Sequence, residues 1–269
     1  MTTTEAARVL GVGPSTVKRW ADDGLLACVR TAGGHRRFLE EEVERFKQHG
    51  FGGDAQHDVD RWLDLLMAPE ADPFQVNAAL MQARGERGSW WEVCEHLGPV
   101  LQEIGQRWAR GELAISEEHV ASERLARGLA FVTQSVGVSP RSPAAVLVTA
   151  EGDDHTLGLS MVEVCAREAG WSTVWLGRNT PHSEVLDAVE RRRARLVAVS
   201  ASAFSSDPEE LARQESLLAR LLAPRDVPVL LGGSGRWPES PAHGERMGGF
   251  RQLAQRLGEL RDGRRRRGA

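Results

Sequence analysis

Glu151-Gly152-Asp153-Asp154-His155-Thr156-Leu157-Gly158 is the stretch on which the reading of this chain turns. Before it runs Ala144-Ala145-Val146-Leu147-Val148-Thr149-Ala150, an apolar segment that reads as a buried strand. After it, Leu159, Val162 and Cys165 recur at helical spacing. The stretch is therefore a strand-to-helix loop at the carboxyl end of a parallel strand, the edge where open α/β sheets bind ligands. It offers an imidazole two residues after a carboxylate. Asp153 can hold one ring nitrogen of His155, fix its tautomer and raise its basicity, which leaves the other nitrogen for a metal. Gly158 lets a bulky group come close to the backbone.

Outward from this loop, strands are expected at 144–149, 172–177, 196–200 and 227–233, with helical stretches between them. Alternation of this kind predicts a doubly wound parallel sheet over residues 141–260. The sequence after Gly233 is loop-like, with a short strand remnant at Arg246-Met247, a helix at 250–260 and a basic tail at 261–269.

In residue order the loop is D-x-H-x-x-G, which resembles the lower-ligand motif of cobalamin-binding Rossmann-like domains. The resemblance implies that His155 coordinates cobalt from below, in place of the cofactor's own dimethylbenzimidazole, with Asp153 behind it. It also implies that the displaced nucleotide tail enters a groove lined by Gly158, by Ser200 and Ser202 at the end of the third strand, and by Gly232 and Gly233 at the end of the fourth. The spacing from Gly158 to Ser200 matches the family, and Ser202 replaces the third residue of its S-x-L motif.

Residues 59–140 read as four amphipathic helices, a helix bundle. Asp72-Pro73 and Ser89 with Glu92 are helix starts. Pro99 predicts a kink or break in the third helix. Here Trp108 is followed after nine residues by Glu118-His119. W-x9-E-H resembles the adenosylcobalamin cap signature of the CarH-like photoreceptor family. By that resemblance Trp108, Glu118 and His119 line the pocket of the adenosyl group on the upper face of the corrin. The chain departs from the family at Ala109, where well-studied members have a histidine.

Residues 1–46 form a third segment, followed by a linker at 47–58. Thr3 or Thr4 can cap a helix over 5–10. Gly11-Val12-Gly13 reads as a turn, and a second helix starts near Pro14, with Val17 on its inner face. Two short helices around a glycine turn make a helix-turn-helix. Thr31 to Phe38 then reads as a hairpin whose His35, Arg36 and Arg37 project while Phe38 returns to the core. The segment resembles the winged helix-turn-helix of the MerR and excisionase-like families, whose signature includes T-x-G-G-H-R-R-F. That places Ser15, Thr16, Lys18 and Arg19 toward the major groove of double-stranded DNA and Arg36 and Arg37 on phosphates. One such module makes few phosphate contacts, so useful affinity needs several copies on the DNA.

The totals agree with this division. At 269 residues the chain has room for two or three domains, and a net charge of −4 argues against a uniformly basic nucleic-acid binder. Cys28, Cys94 and Cys165 lie far apart without C-x-x-C spacing and read as buried thiols of a reducing compartment. A polar N-terminus and the lack of a long apolar run predict a cytoplasmic protein without membrane spans. The expected fold class is multi-domain: winged helix-turn-helix, four-helix cap and Rossmann-like sheet. The expected function, by family resemblance, is a light-responsive transcriptional repressor. It holds adenosylcobalamin, binds an operator as a homotetramer in the dark and releases it on illumination. A cobalamin sensor without photochemistry and a corrinoid methyltransferase subunit are the alternatives. No Ser/His/Asp or paired-carboxylate constellation points to an enzyme.

Overall fold

A computed structural model describes residues 1–10, 14, 17–18, 21, 26, 28–31, 34–48, 55–69 and 72–265. They divide into two compact units, Met1–Leu63 and Asp64–Ala269.

In the first unit α1 (Thr3–Leu10) is capped by Thr2, not by Thr3 or Thr4. The Thr2 hydroxyl accepts from the Glu5 N–H at 3.3 Å, and the Glu5 carboxylate accepts from the Thr2 N–H at 2.7 Å. Pro14, Val17, Lys18 and Ala21 are helical, with Val17 buried and Lys18 exposed. The expected turn at 11–13 and the candidates Ser15, Thr16 and Arg19 lie outside the described residues, as does half of the expected linker (49–54). The wing is present. Strand β1 (Val29–Arg30) pairs antiparallel with β2 (Arg36–Arg37), Val29 opposite Arg37 and Arg30 opposite Arg36. Its base is tied down by reciprocal bonds between Met1 and Phe38. Phe38 returns to a core with Ala6, Ala7, Val17, Leu26 and Val43, the last on α2 (Glu40–Gln48).

Helix α3 (Ala55–Met67) starts inside the stretch expected as linker. Its last carbonyls, Leu66 and Ala68 just beyond, accept from the Arg124 guanidinium at 2.8 and 2.6 Å. Helices α4 (Pro73–Arg87), α5 (Trp90–Ala109) and α6 (Ile115–Ser135) follow. Asp72 and Gln75 form a capping box on α4, and Ser89 caps α5. Of the kink or break expected at Pro99, the break does not occur: α5 runs through it. An interior proline costs about 3 kcal/mol, but Val93, Cys94, Leu97, Val100 and Ile104 are buried on both sides of it, and their packing outweighs the lost bond. Helices α4 and α6 cross closely at Gly128, where a Cβ would lie 2.9 Å from both Leu80 Cδ1 and Val76 Cγ1. Gly128→Ala is therefore expected to overpack the crossing and cost about 1–3 kcal/mol, read as a lower midpoint in urea with an unchanged slope.

The α/β segment is a five-stranded all-parallel sheet among the described residues, in the order β4-β3-β5-β6-β7. The strands are β3 (Ala144–Thr149), β4 (Ser172–Gly177), β5 (Leu196–Ser200), β6 (Val229–Gly232) and β7 (Glu245–Arg246). The last is the short remnant expected near Arg246. Helices α7 (Leu157–Glu168), α8 (His182–Arg192), α9 (Pro208–Leu222) and α10 (Phe250–Arg265) cover the two faces. Helix α10 runs on to Arg265, so the basic stretch expected as tail from 261 is helical to that point. Helix α7 packs on α5 and α6. Glu168 at its end accepts from Arg84 at 2.8 Å and from the Trp90 N–H at 2.8 Å, tying the sheet layer to the helical layer. Cys94 and Cys165, distant in sequence, meet across this seam with sulfurs 3.8 Å apart. Burial, then the neighbouring Cys94, pushes the Cys165 thiol well above its ordinary range, so it is an inert packing group.

Candidate cofactor site

The carboxyl ends of β3, β5 and β6 lie side by side, with Thr149 opposite Ser200 and Ser200 opposite Gly232. The loops leaving these three ends build the site. Asp153 is its anchor, with a fully buried side chain. One carboxylate oxygen accepts from the His155 N–H at 2.9 Å and from the Ser202 hydroxyl at 3.0 Å, and it lies 3.0 Å from His155 Nδ1. The other accepts from the Ser202 N–H at 2.5 Å and the Ser205 hydroxyl at 2.6 Å. Burial by itself raises the carboxyl's pKa. The bonds from Ser205, Ser202 and the His155 N–H outweigh it and hold the group below its ordinary value. Asp153 is thus an anion at neutral pH. Its contribution to stability is complete above the unfolded carboxyl range and is lost as pH falls through the lowered folded value.

An ionised Asp153 beside Nδ1 favours the tautomer with its proton there and leaves Nε2 as a lone-pair donor. The His155 side chain is half exposed, so Nε2 has room for a metal. Asp154 takes no part, since it accepts from Asn179 at 2.6 Å in the neighbouring loop.

The glycines divide into two roles. Gly232 has open space where a Cβ would stand, room for a ligand along the strand end. Gly233 has φ +89°, and a Cβ there would lie 2.1 Å from the Ala201 carbonyl oxygen, so its glycine is dictated by the backbone. At Gly158 a Cβ would lie 3.0 Å from the Ser200 hydroxyl, which brings α7 close to β5. A histidine held by a buried anion, beside strand ends that offer hydroxyls and the open space over Gly232, is a donor set that fits a corrinoid.

Trp108, near the end of α5, is more than one-third exposed. Phe204 bridges it to His155: the Phe204 ring lies 6.0 Å from Trp108 and stacks on the imidazole at 4.4 Å. Glu118 and His119 form a pair of their own. His119 Nδ1 lies 2.7 Å from Glu118, which also accepts from Ser122 at 2.7 Å. Among the described residues this pair makes no hydrogen bond to Trp108 or His155, and the His119 side chain is largely exposed. Sequence reasoning missed Ser205 and Phe204. The available signal was the hydroxyl-rich run Ser200-Ala201-Ser202-Ala203-Phe204-Ser205-Ser206, with one aromatic in it. In the wing Arg30 faces Arg36 across the hairpin; His35 and Arg37 are exposed and Arg36 is half-buried.

Comparison with known proteins agrees with this geometry. A helix-turn-helix domain family matches residues 1–50. Two B12 binding domain families match, one over residues 57–133 and one over 143–239. The HTH-type transcriptional repressor CarH of Myxococcus xanthus is 25% identical over 265 residues, 85% of this chain and 87% of that protein. The chain has a CarH-like architecture. The HTH-type transcriptional repressor CarA of the same organism is 32% identical over 137 residues, 51% of this chain but only 45% of CarA. This chain thus spans less than half of CarA. Among solved structures, the monomethylamine corrinoid protein of Methanosarcina barkeri superposes with a TM-score of 0.56 at 16% identity, over 76% of this chain and 96% of that one, a likeness of fold. The two matched B12 binding segments meet where Trp108 of the first lies 6.0 Å from Phe204 of the second. Among the described residues no helix is long and apolar enough to cross a membrane.

Asp153→Asn keeps the shape but removes the charge behind His155. It is expected to weaken corrinoid binding about 10–100-fold, measured by absorbance titration with hydroxocobalamin.

Proposed function

We propose that the chain is a cobalamin-binding transcriptional regulator, a repressor that uses adenosylcobalamin to control its own assembly on DNA. The observation that carries the reading is His155, held by buried Asp153 at the open strand ends, in a chain that also has a helix-turn-helix head. His155 would hold the cobalt, and Gly158, Ser200, Ser202 and Gly232 would make room for and bond the nucleotide tail. Trp108 would cover the adenosyl side, with Glu118 and His119 approaching it when the pocket is filled. The cofactor, when bound, supplies a cobalt–carbon bond that light cleaves.

The chain's own residues do the rest. Loss of contact at Trp108 changes the packing of α5 and α6, which biases the association of copies. Lys18, Arg36 and Arg37, together with Ser15, Thr16, Arg19 and His35, would meet double-stranded DNA. One head binds weakly, so affinity follows the number of heads joined in one homo-oligomer. We expect a tetramer in the dark, smaller species after light, and a cytoplasmic, non-enzymatic protein.

Ala109 favours a second reading, a cobalamin sensor that does not respond to light, because its side chain supplies no ligand to the upper face. Sizing the chain with adenosylcobalamin in the dark and after green light separates the two. A tetramer that dissociates supports the photoreceptor, and an oligomer that ignores light leaves the sensor.

A further inference from the structure

Phe204 belongs to none of the motifs that mark the site, and it is 63% exposed, so it adds little to a core. Its ring lies face to face with the His155 imidazole, centroids 4.4 Å apart and planes 2° from parallel. Such a stack covers one face of the imidazole and leaves the ring edge open, Nε2 included. The edge at Nδ1 is already held, since that atom lies 3.0 Å from the Asp153 carboxylate and 3.3 Å from the Ser202 hydroxyl. The two kinds of contact restrain different motions. A bond at Nδ1 fixes one atom and lets a half-exposed ring pivot about it. A parallel stack fixes the plane of the ring. Imidazole binds a metal through a lone pair that lies in the ring plane, so anchor and plane together set where Nε2 points. The backbone under Phe204 is fixed as well. The Phe204 N–H donates to the Ser202 hydroxyl at 3.2 Å, and Ser202 and Ser205 on either side of it donate to Asp153. One turn therefore carries both the ring that lies on the imidazole and the hydroxyls that hold the carboxylate.

We propose that Phe204 is a positioning residue for His155. Its stacked ring fixes the plane of the imidazole, and with it the direction of Nε2, in the chain that has yet to take up a ligand. This rests on the cobalamin reading above. Affinity for a corrinoid then follows the fraction of chains whose His155 already stands in the right plane. An aromatic pair biases such a population about two- to tenfold, so loss of the stack weakens binding by about that factor.

The test uses the full chain with two variants and hydroxocobalamin as the probe. Phe204→Tyr keeps a flat ring, and Phe204→Leu keeps apolar bulk without a flat face. Both should unfold at the parent's Tm, because the ring is exposed. In the ligand-free chain, proton NMR of the imidazole reads the stack. The His155 signals, assigned by their loss in His155→Ala, should be displaced by the ring current in the parent and in Phe204→Tyr, and should return toward ordinary histidine positions in Phe204→Leu. Phe204→Leu should bind hydroxocobalamin about two- to tenfold more weakly than the parent, and Phe204→Tyr as tightly as the parent. After reduction to cobalt(II), chains grown with isotope-labelled histidine nitrogen should show coupling to His155 by electron paramagnetic resonance, in a smaller share of the bound cobalt for Phe204→Leu. His155 signals or an affinity that Phe204→Leu leaves unchanged overturn the positioning role, as does equal weakening by Phe204→Tyr. A parent that takes up no hydroxocobalamin, or holds it without coupling to histidine nitrogen, overturns the cobalamin reading at His155 and the positioning role with it.

Discussion

His155→Ala is expected to lower the affinity for cobalamin by at least the ~10–100-fold that loss of an outer partner of a metal ligand costs, and to abolish the absorbance change that marks histidine coordination of cobalt. The reason lies in how much of the site converges on this one ring. Asp153 is buried, ionised and bonded by His155, Ser202 and Ser205. Removing the imidazole leaves that anion aimed at a vacant position with no ligand to tune. Little stability should be lost, because His155 is half exposed and outside the apolar core. Titration with hydroxocobalamin, alongside circular dichroism to show an intact fold, checks both statements.

Gly233→Ala is expected to damage the fold itself. At φ +89° an L side chain is strained, and its Cβ would stand 2.1 Å from the Ala201 carbonyl oxygen. Relief by side-chain rotation is impossible because the obstacle is backbone. That backbone is fixed from both sides, since the Ala201 N–H donates to Gly232 and the Ala201 carbonyl accepts from Gly235. Left-handed strain and forced overpacking each cost roughly 1–3 kcal/mol, so a loss of about 2–6 kcal/mol follows. At about 2–4 °C per kcal/mol for a chain of this size, that is a fall in Tm of about 10 °C. Gly232→Ala is the matched control. Open space stands over Gly232, so this variant should keep its Tm while binding cobalamin more weakly. Thermal unfolding of the two variants beside the parent separates a glycine that the fold needs from a glycine that the ligand needs.

What could be read from the sequence was what is local. Asp153 and His155 are two residues apart in one loop, and the carboxylate-imidazole contact follows from that spacing. The strands at 144–149, 196–200 and 229–232 were legible because a buried parallel strand is a continuous apolar run. Arrangements set by packing between distant segments were not. Pro99 reads as a helix breaker by its own chemistry, and only the buried residues on either side show why α5 continues. Thr2 caps α1 because the chain end is tied to Phe38, a contact made by residues far apart in sequence. Ser205 and Phe204 enter the site because the turn after β5 folds back over Asp153, and no spacing rule in a single sequence announces that. The pairing of Cys94 with Cys165 likewise depends on α5 lying across α7.

The most direct test is the DNA affinity of the full chain, measured by fluorescence anisotropy on an operator fragment that the chain itself selects from random-sequence DNA. It is read without cofactor, with adenosylcobalamin in the dark, and again after green light. The expected result is weak binding without cofactor, tight and strongly salt-dependent binding in the dark with it, and a return to weak binding after light, with His155→Ala weak throughout. An affinity that is the same with and without adenosylcobalamin would contradict it.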